Sequence, residues 1–164
     1  MRIEMKRMIL IAAAALCALA ASAQNGKTIY NRYSEADDVS AVYISPAMFR
    51  IMGKIPDMDL GQGDVNISEI IRSMNGLYII SSANSSVNCD LRRDAERFVK
   101  SGRYELLMEM KDDGEVCHIY TLGDEKVVKG FVLLSFDGPE CNFICMDGEM
   151  PRDRFEAVIA SGAR

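Results

Sequence analysis

Residues Tyr104–Gly123 read YELLMEMKDDGEVCHIYTLG, and their period decides the fold. Tyr104, Leu106, Met108 and Met110 alternate with Glu105, Leu107, Glu109 and Lys111, the period of two that a strand imposes on its side chains. Asp112-Asp113-Gly114 supplies turn chemistry, and Val116, His118, Tyr120 and Leu122 then form one face of a second strand. Gly123-Asp124-Glu125 leads into a third strand at Val127–Phe136, and Asp137-Gly138-Pro139-Glu140 into a fourth at Cys141–Met146. Four consecutive strands joined by tight turns predict an antiparallel meander.

Upstream of Tyr104 the period is that of helices. Ser45-Pro46 is a helix start with Met48, Phe49 and Met52 on one face and Gly53 as its stop. Asn66 opens a second helix, with Ile67, Ile70, Ile71 and Met74 in helical spacing and Asn75-Gly76 at its end. A third carries Leu91, Ala95, Phe98 and Val99 on one face and stops at Gly102; a last one runs from Pro151 with Phe155, Val158 and Ile159 inward. Val39–Ile44 and Leu77–Ile80 read as two further strands. The expectation is therefore an α+β domain: an antiparallel meander of four or more strands plus two strands from the N-terminal half, with helices packed mainly on one face.

The first residues do not belong to that domain. Arg2, Lys6 and Arg7 precede an apolar run from Met8 to Leu19, and Ala21-Ser22-Ala23 closes it with small residues. This order is that of a secretory signal peptide over residues 1–23, and the run is short of the ~20 residues of a membrane span. Cys17 lies in the apolar run, where acylation would make a lipoprotein, but Leu16 before it argues for cleavage after Ala23 instead. The domain is then residues 24–164, exported to the periplasm or outer envelope, with no transmembrane segment after cleavage. Losing three basic residues and one acidic one takes the net charge from −5 to −7 over 141 residues. That balance argues against a nucleic-acid partner.

Coherent catalytic sets are scarce. Four cysteines follow the leader: Cys89, Cys117, Cys141 and Cys145. On one strand Cys141 and Cys145 stand about 13 Å apart, and Cys117 is one strand removed from both, so free and mostly buried thiols are expected. His118, the sole histidine, cannot meet Cys117 because neighbours on a strand face opposite ways. Asp57, Asp59 and Asp64, among Gly61 and Gly63, suggest a weak cation site, but Gly61, Gln62 and Ser68 fall where an EF-hand-type loop needs an oxygen ligand, glycine and glutamate. No metal centre and no cofactor is expected. Arg92, Arg93, Arg97 and Lys100 alternate with Asp90, Asp94 and Glu96 as a solvated helix face does.

The sheet itself carries the better hint. The strand Phe131–Phe136 is apolar on both faces, so Leu107, Ile119, Val132, Leu134, Phe136 and Ile144 are candidates for a partner-binding surface unless a helix covers them. Ser45-Pro46-Ala47-Met48-Phe49, Tyr104-Glu105-Leu106-Leu107-Met108, Phe131-Val132-Leu133-Leu134, and Ile144 with Gly148 give the chain its resemblance to a family of small exported Bacteroidetes proteins, a domain of unknown function (number four-two-five-two). The resemblance spans nearly the whole chain after the leader and implies an exported envelope protein, with no functional residue to carry over. The leading expectation is a non-enzymatic module binding a protein or envelope component, or a second copy as a homodimer. A hydrolase using Asp57, Asp59 or Asp64 is the second expectation, and a regulatory or structural part of an envelope-stress system the third.

Overall fold

The computed structural model describes residues 25–52 and 71–162. In chain order these form α1 (Gly26–Tyr33), β1 (Val39–Ile44), α2 (Pro46–Met52), β2 (Met74–Ser82), α3 (Ser85–Ser101), β3 (Glu105–Asp112), β4 (Glu115–Gly123), β5 (Val127–Asp137), β6 (Glu140–Pro151) and α4 (Arg152–Gly162). The leader, the acidic loop at Asp57–Asp64, and the side chains of Val158 and Ile159 lie outside the described residues. So does the expected second helix, except that Ile71–Ser73 are helical.

The expected α+β architecture is present. The six strands form one antiparallel sheet in the order β1-β2-β6-β5-β4-β3. β3 to β6 are the meander, and their turns carry the backbone the sequence asks for. Asp113 and Gly114 both have positive φ (41° and 96°), which is the type I′ geometry that matches strand twist in a two-residue hairpin. Asp137 pairs with Glu140 across Gly138-Pro139, with Gly138 at φ 50°. β6 then lies between β5 and β2, and β2 pairs with β1 on its far side.

One face of this sheet holds the main core. Ile80, Val132, Leu134, Cys141, Phe143 and Cys145 are fully buried against Ile29 and Tyr33 of α1 and Leu91, Ala95, Phe98 and Val99 of α3. The Phe98 and Phe143 rings meet edge-on at 6.2 Å. Asp94 of α3 is buried, and it accepts from the Tyr33 hydroxyl at 2.6 Å and pairs with the Arg32 guanidinium at 2.8 Å, which ties α1 to α3. Helices do gather mainly on this face, but α4 goes to the other one. There Phe155 packs on Phe131 at 5.7 Å between ring centroids, and Val128 and Met150 complete a second small core.

Three local expectations are corrected. Gly26 and Lys27, expected to close a polar entry segment from Gln24, already belong to α1 (Gly26–Tyr33), because Gly26, Ile29, Tyr30 and Tyr33 make one face that only the sheet can bury. Met74 and Asn75, expected to end a helix, already belong to β2, whose pairing with β6 starts at Met74 and Gly148 through a bulge. The third helix starts earlier than its apolar face implies, since the Asn84 side chain caps it by accepting from Ser86 N at 3.1 Å and Val87 N at 3.5 Å.

The end of α3 has an uncommon cost. Tyr104 N donates to Val99 O at 2.9 Å and Arg103 N to Lys100 O at 3.3 Å, the paired bonds of a Schellman motif. The left-handed residue in that motif is Arg103, at φ 58°, and not Gly102. Replacing Arg103 by Gly removes the Cβ clash and is expected to raise unfolding free energy by about 0.5–1 kcal/mol in urea titrations. Phe143→Ala, by contrast, empties the centre of the main core and is expected to cost about 3–5 kcal/mol in the same measurement.

Candidate functional site

β3 is one edge of the sheet, and every one of its eight residues is exposed. Four of them are large apolar side chains, with Leu106, Leu107, Met108 and Met110 exposed by 48%, 46%, 46% and 41%. An unpaired row of backbone N–H and C=O groups beside such side chains is what a further strand pairs with. The free groups can be assigned. In a two-residue hairpin the flanking pair, here Asp112 and Glu115, exchanges both hydrogen bonds. Alternation then turns Asp112, Met110 and Met108 toward β4 and leaves Lys111 and Glu109 with N–H and C=O directed outward. A bulge between Leu106 and Met108 breaks the ladder above them.

The side chains along this edge are charged as well as apolar. Glu109 accepts from Lys111 Nζ at 2.8 Å and lies 2.9 Å from His118 Nε2, and these two contacts hold its carboxyl below the ordinary range. His118 stands beside Tyr120, ring centroids 5.9 Å apart, on the opposite side of the strand from buried Cys117. A nucleophile–base pair between Cys117 and His118 is therefore not assembled.

On the face away from α1 and α3, one apolar row crosses the whole sheet. Val42, Ile79, Ile144, Leu133, Ile119 and Met108 are successive register partners from β1 to β3. The four in the middle are half-buried, and Val42 and Met108 at the ends are exposed. Two of the six residues expected to form a partner surface, Ile119 and Ile144, belong to this row. Leu107 sits exposed at the β3 bulge. The other three are corrected: Val132 and Leu134 are fully buried on the helix-covered face, and Phe136 packs against the same core. The turn at Gly138-Pro139 held the missing signal. It sets Asp137 opposite Glu140 and so places Phe143 opposite Leu134, and Ile144 opposite Leu133.

A buried polar cluster, which no motif announced, lies where α1 starts. Gly26 backs onto β6 so closely that a Cβ there would stand 2.5 Å from Cys145 Sγ, and only glycine fits. Asp147 lies 3.7 Å from Cys145 Sγ and accepts from the Gly26 backbone. Burial pushes the Cys145 thiol well above its ordinary value, Cys141 up to about 11, Tyr78 up to about 12, and the Asp147 carboxyl above its usual range. A thiol shifted upward is a packing group and a weak nucleophile. A cavity of about 350 Å³ opens beside Asp147, lined by Asn25, Asn75, Tyr78, Lys129 and Glu149. Cys89 is exposed, and all four described cysteines are free. Among the described residues no group of three or more histidine, cysteine or acidic side chains is arranged to hold a metal ion, and Asp57, Asp59 and Asp64 lie outside them.

The protein-family comparison matches residues 33–158 to the family described as Domain of unknown function (DUF4252). The chain belongs to this family. The match runs from the last residue of α1 into α4, so the sheet and its β3 edge fall within the family's domain, as do Cys145 and Asp147, while Gly26 precedes it. No curated protein and no solved structure matches the chain. Among the described residues no helix is long and apolar enough to cross a membrane.

The Asp147 carboxyl gives a signed pH effect. Its value in the folded chain lies above that in the unfolded chain, so the folded state binds the extra proton. The stability this contributes is complete below the unfolded value and is lost as pH rises through the folded one. Asp147→Asn keeps an acceptor for the Gly26 N–H and removes the ionisation. Its melting temperature is expected to exceed that of the parent at about pH 8 and to converge with it toward about pH 4. An equal or lower melting temperature at the higher pH contradicts the assignment.

Proposed function

We propose that this chain is an exported, non-enzymatic binding module that takes a partner's strand onto the β3 edge. The observation that carries the reading is β3 itself, eight exposed residues with four large apolar side chains and outward backbone groups at Glu109 and Lys111. A strand left in that state on a secreted domain is a hazard unless pairing with it is the purpose. The apolar row ending at Met108 extends the surface that an added strand would meet on the open face. Export is supported by the order of basic, apolar and small residues over 1–23, and α1 begins three residues beyond Ala23.

A photo-reactive residue at Leu107, with one at the exposed β4–β5 turn residue Glu125 as control, tests both halves in intact cells. Discrete adducts are expected from position 107 and none from 125, and the uncoupled chain should have the mass of residues 24–164. Absence of any adduct at 107 overturns binding at this edge. A full-length mass, or a chain starting at an acylated Cys17, overturns the cleavage assigned here.

A further inference from the structure

Resting on that reading of the edge, we infer that the strand β3 accepts is β3 of a second copy, paired antiparallel about a two-fold axis through Met110. A two-fold axis can fall on only a few residues of β3, and their charges sort them. An axis at Glu109 sets Glu109 opposite its own copy, and one at Lys111 does the same with two ammonium groups; like charges directly opposite each other destabilise a pair of strands. An axis at Met108 brings the bulge between Leu106 and Met108 against the partner's regular segment, where no even ladder can form. An axis at Met110 sets Glu109 opposite Lys111 of the second copy, twice.

The backbone agrees with this choice. Glu109 and Lys111 are the two residues whose N–H and C=O groups point outward, so the two Glu109–Lys111 pairs are also the hydrogen-bonded pairs of the new ladder. Their side chains lie on one face, since Glu109 and Lys111 are register partners of His118 and Val116 on β4. The intrachain Lys111–Glu109 contact of 2.8 Å shows that the two side chains reach one another along the strand, and the ammonium can be shared with the facing carboxylate. Met110, 41% exposed, falls on the axis and meets its copy on the open face. Two six-stranded sheets become one of twelve, and an edge that invites indiscriminate pairing is closed by a partner of defined register.

Single cysteines read the register directly, introduced on a Cys89→Ser background because the native Cys89 is exposed. Across an antiparallel non-hydrogen-bonded pair Cα atoms stand about 4.5 Å apart, within disulfide reach. Met110→Cys is expected to form a disulfide-linked dimer under mild oxidation. Met108→Cys, about 13 Å from its copy, is expected to stay monomeric on the same gel. Lys111→Glu replaces both cross-strand attractions by repulsions and is expected to raise the dimer dissociation constant about tenfold in sedimentation. The exchange Glu109→Lys with Lys111→Glu should bring it back to within about threefold of the parent. A Met108→Cys dimer without a Met110→Cys dimer overturns the axis. A parent chain that is monomeric at about 1 mM and gives no Met110→Cys dimer overturns self-pairing. In that case adducts at Leu107 of another mass leave the edge reading standing, and their absence removes it too.

Discussion

The pairing of β6 with β2 is the constraint on which the rest of the molecule depends. The meander β3–β6 brings β6 to its open end, and the β1–β2 pair, made more than fifty residues earlier in the chain, docks there. β6 thereby gains a neighbour on each side and carries apolar side chains on both faces. Cys141, Phe143 and Cys145 fill the face under α1 and α3, while Ile144 and Met146 serve the other. A strand held on both sides also fixes which strands are left as edges, and these are β1 and β3.

The two edges differ in what accompanies them. α2 follows β1 directly and lies against β2 with Phe49 buried, and the rings of Tyr43 and Tyr78 stack at 5.2 Å across the β1–β2 pair. Among the described residues β3 has no comparable companion, and every residue on it is exposed. The main core, centred on β2, β6 and β5, stops short of β3, so that strand contributes pairing and charge and no buried side chain. An edge strand that adds so little to the core but keeps four large apolar residues is the feature on which the proposed strand addition rests.

Much of the architecture was legible in local pattern. The change of period at Tyr104, the type I′ signal of Asp113-Gly114 and the apolar face Leu91, Ala95, Phe98 and Val99 each found the element they imply. What failed did so for separable reasons. α1 is eight residues with no side-chain cap at Asn25, and too short to hold together in water without the sheet beneath it. The candidate surface mixed two faces because alternation relates residues within a strand, whereas the face shared between strands follows from turn length and bulges. The Cys145–Asp147 cluster had no motif because its parts come from α1 and β6, joined only by the close approach at Gly26.

The sequence by itself determined the class of fold, the meander, the family resemblance and the helix faces, because these rest on contacts between residues near in the chain. Tertiary structure alone decided that β6 pairs with β2, that α4 crosses to the second face, and that Val132 and Leu134 are core while Ile119 and Ile144 lie in the open row. It also decided that β3 stands at an edge of the sheet with all of its residues exposed. Each of these depends on which distant surface is buried against which, and burial is a property of the assembled sheet that no window of sequence contains.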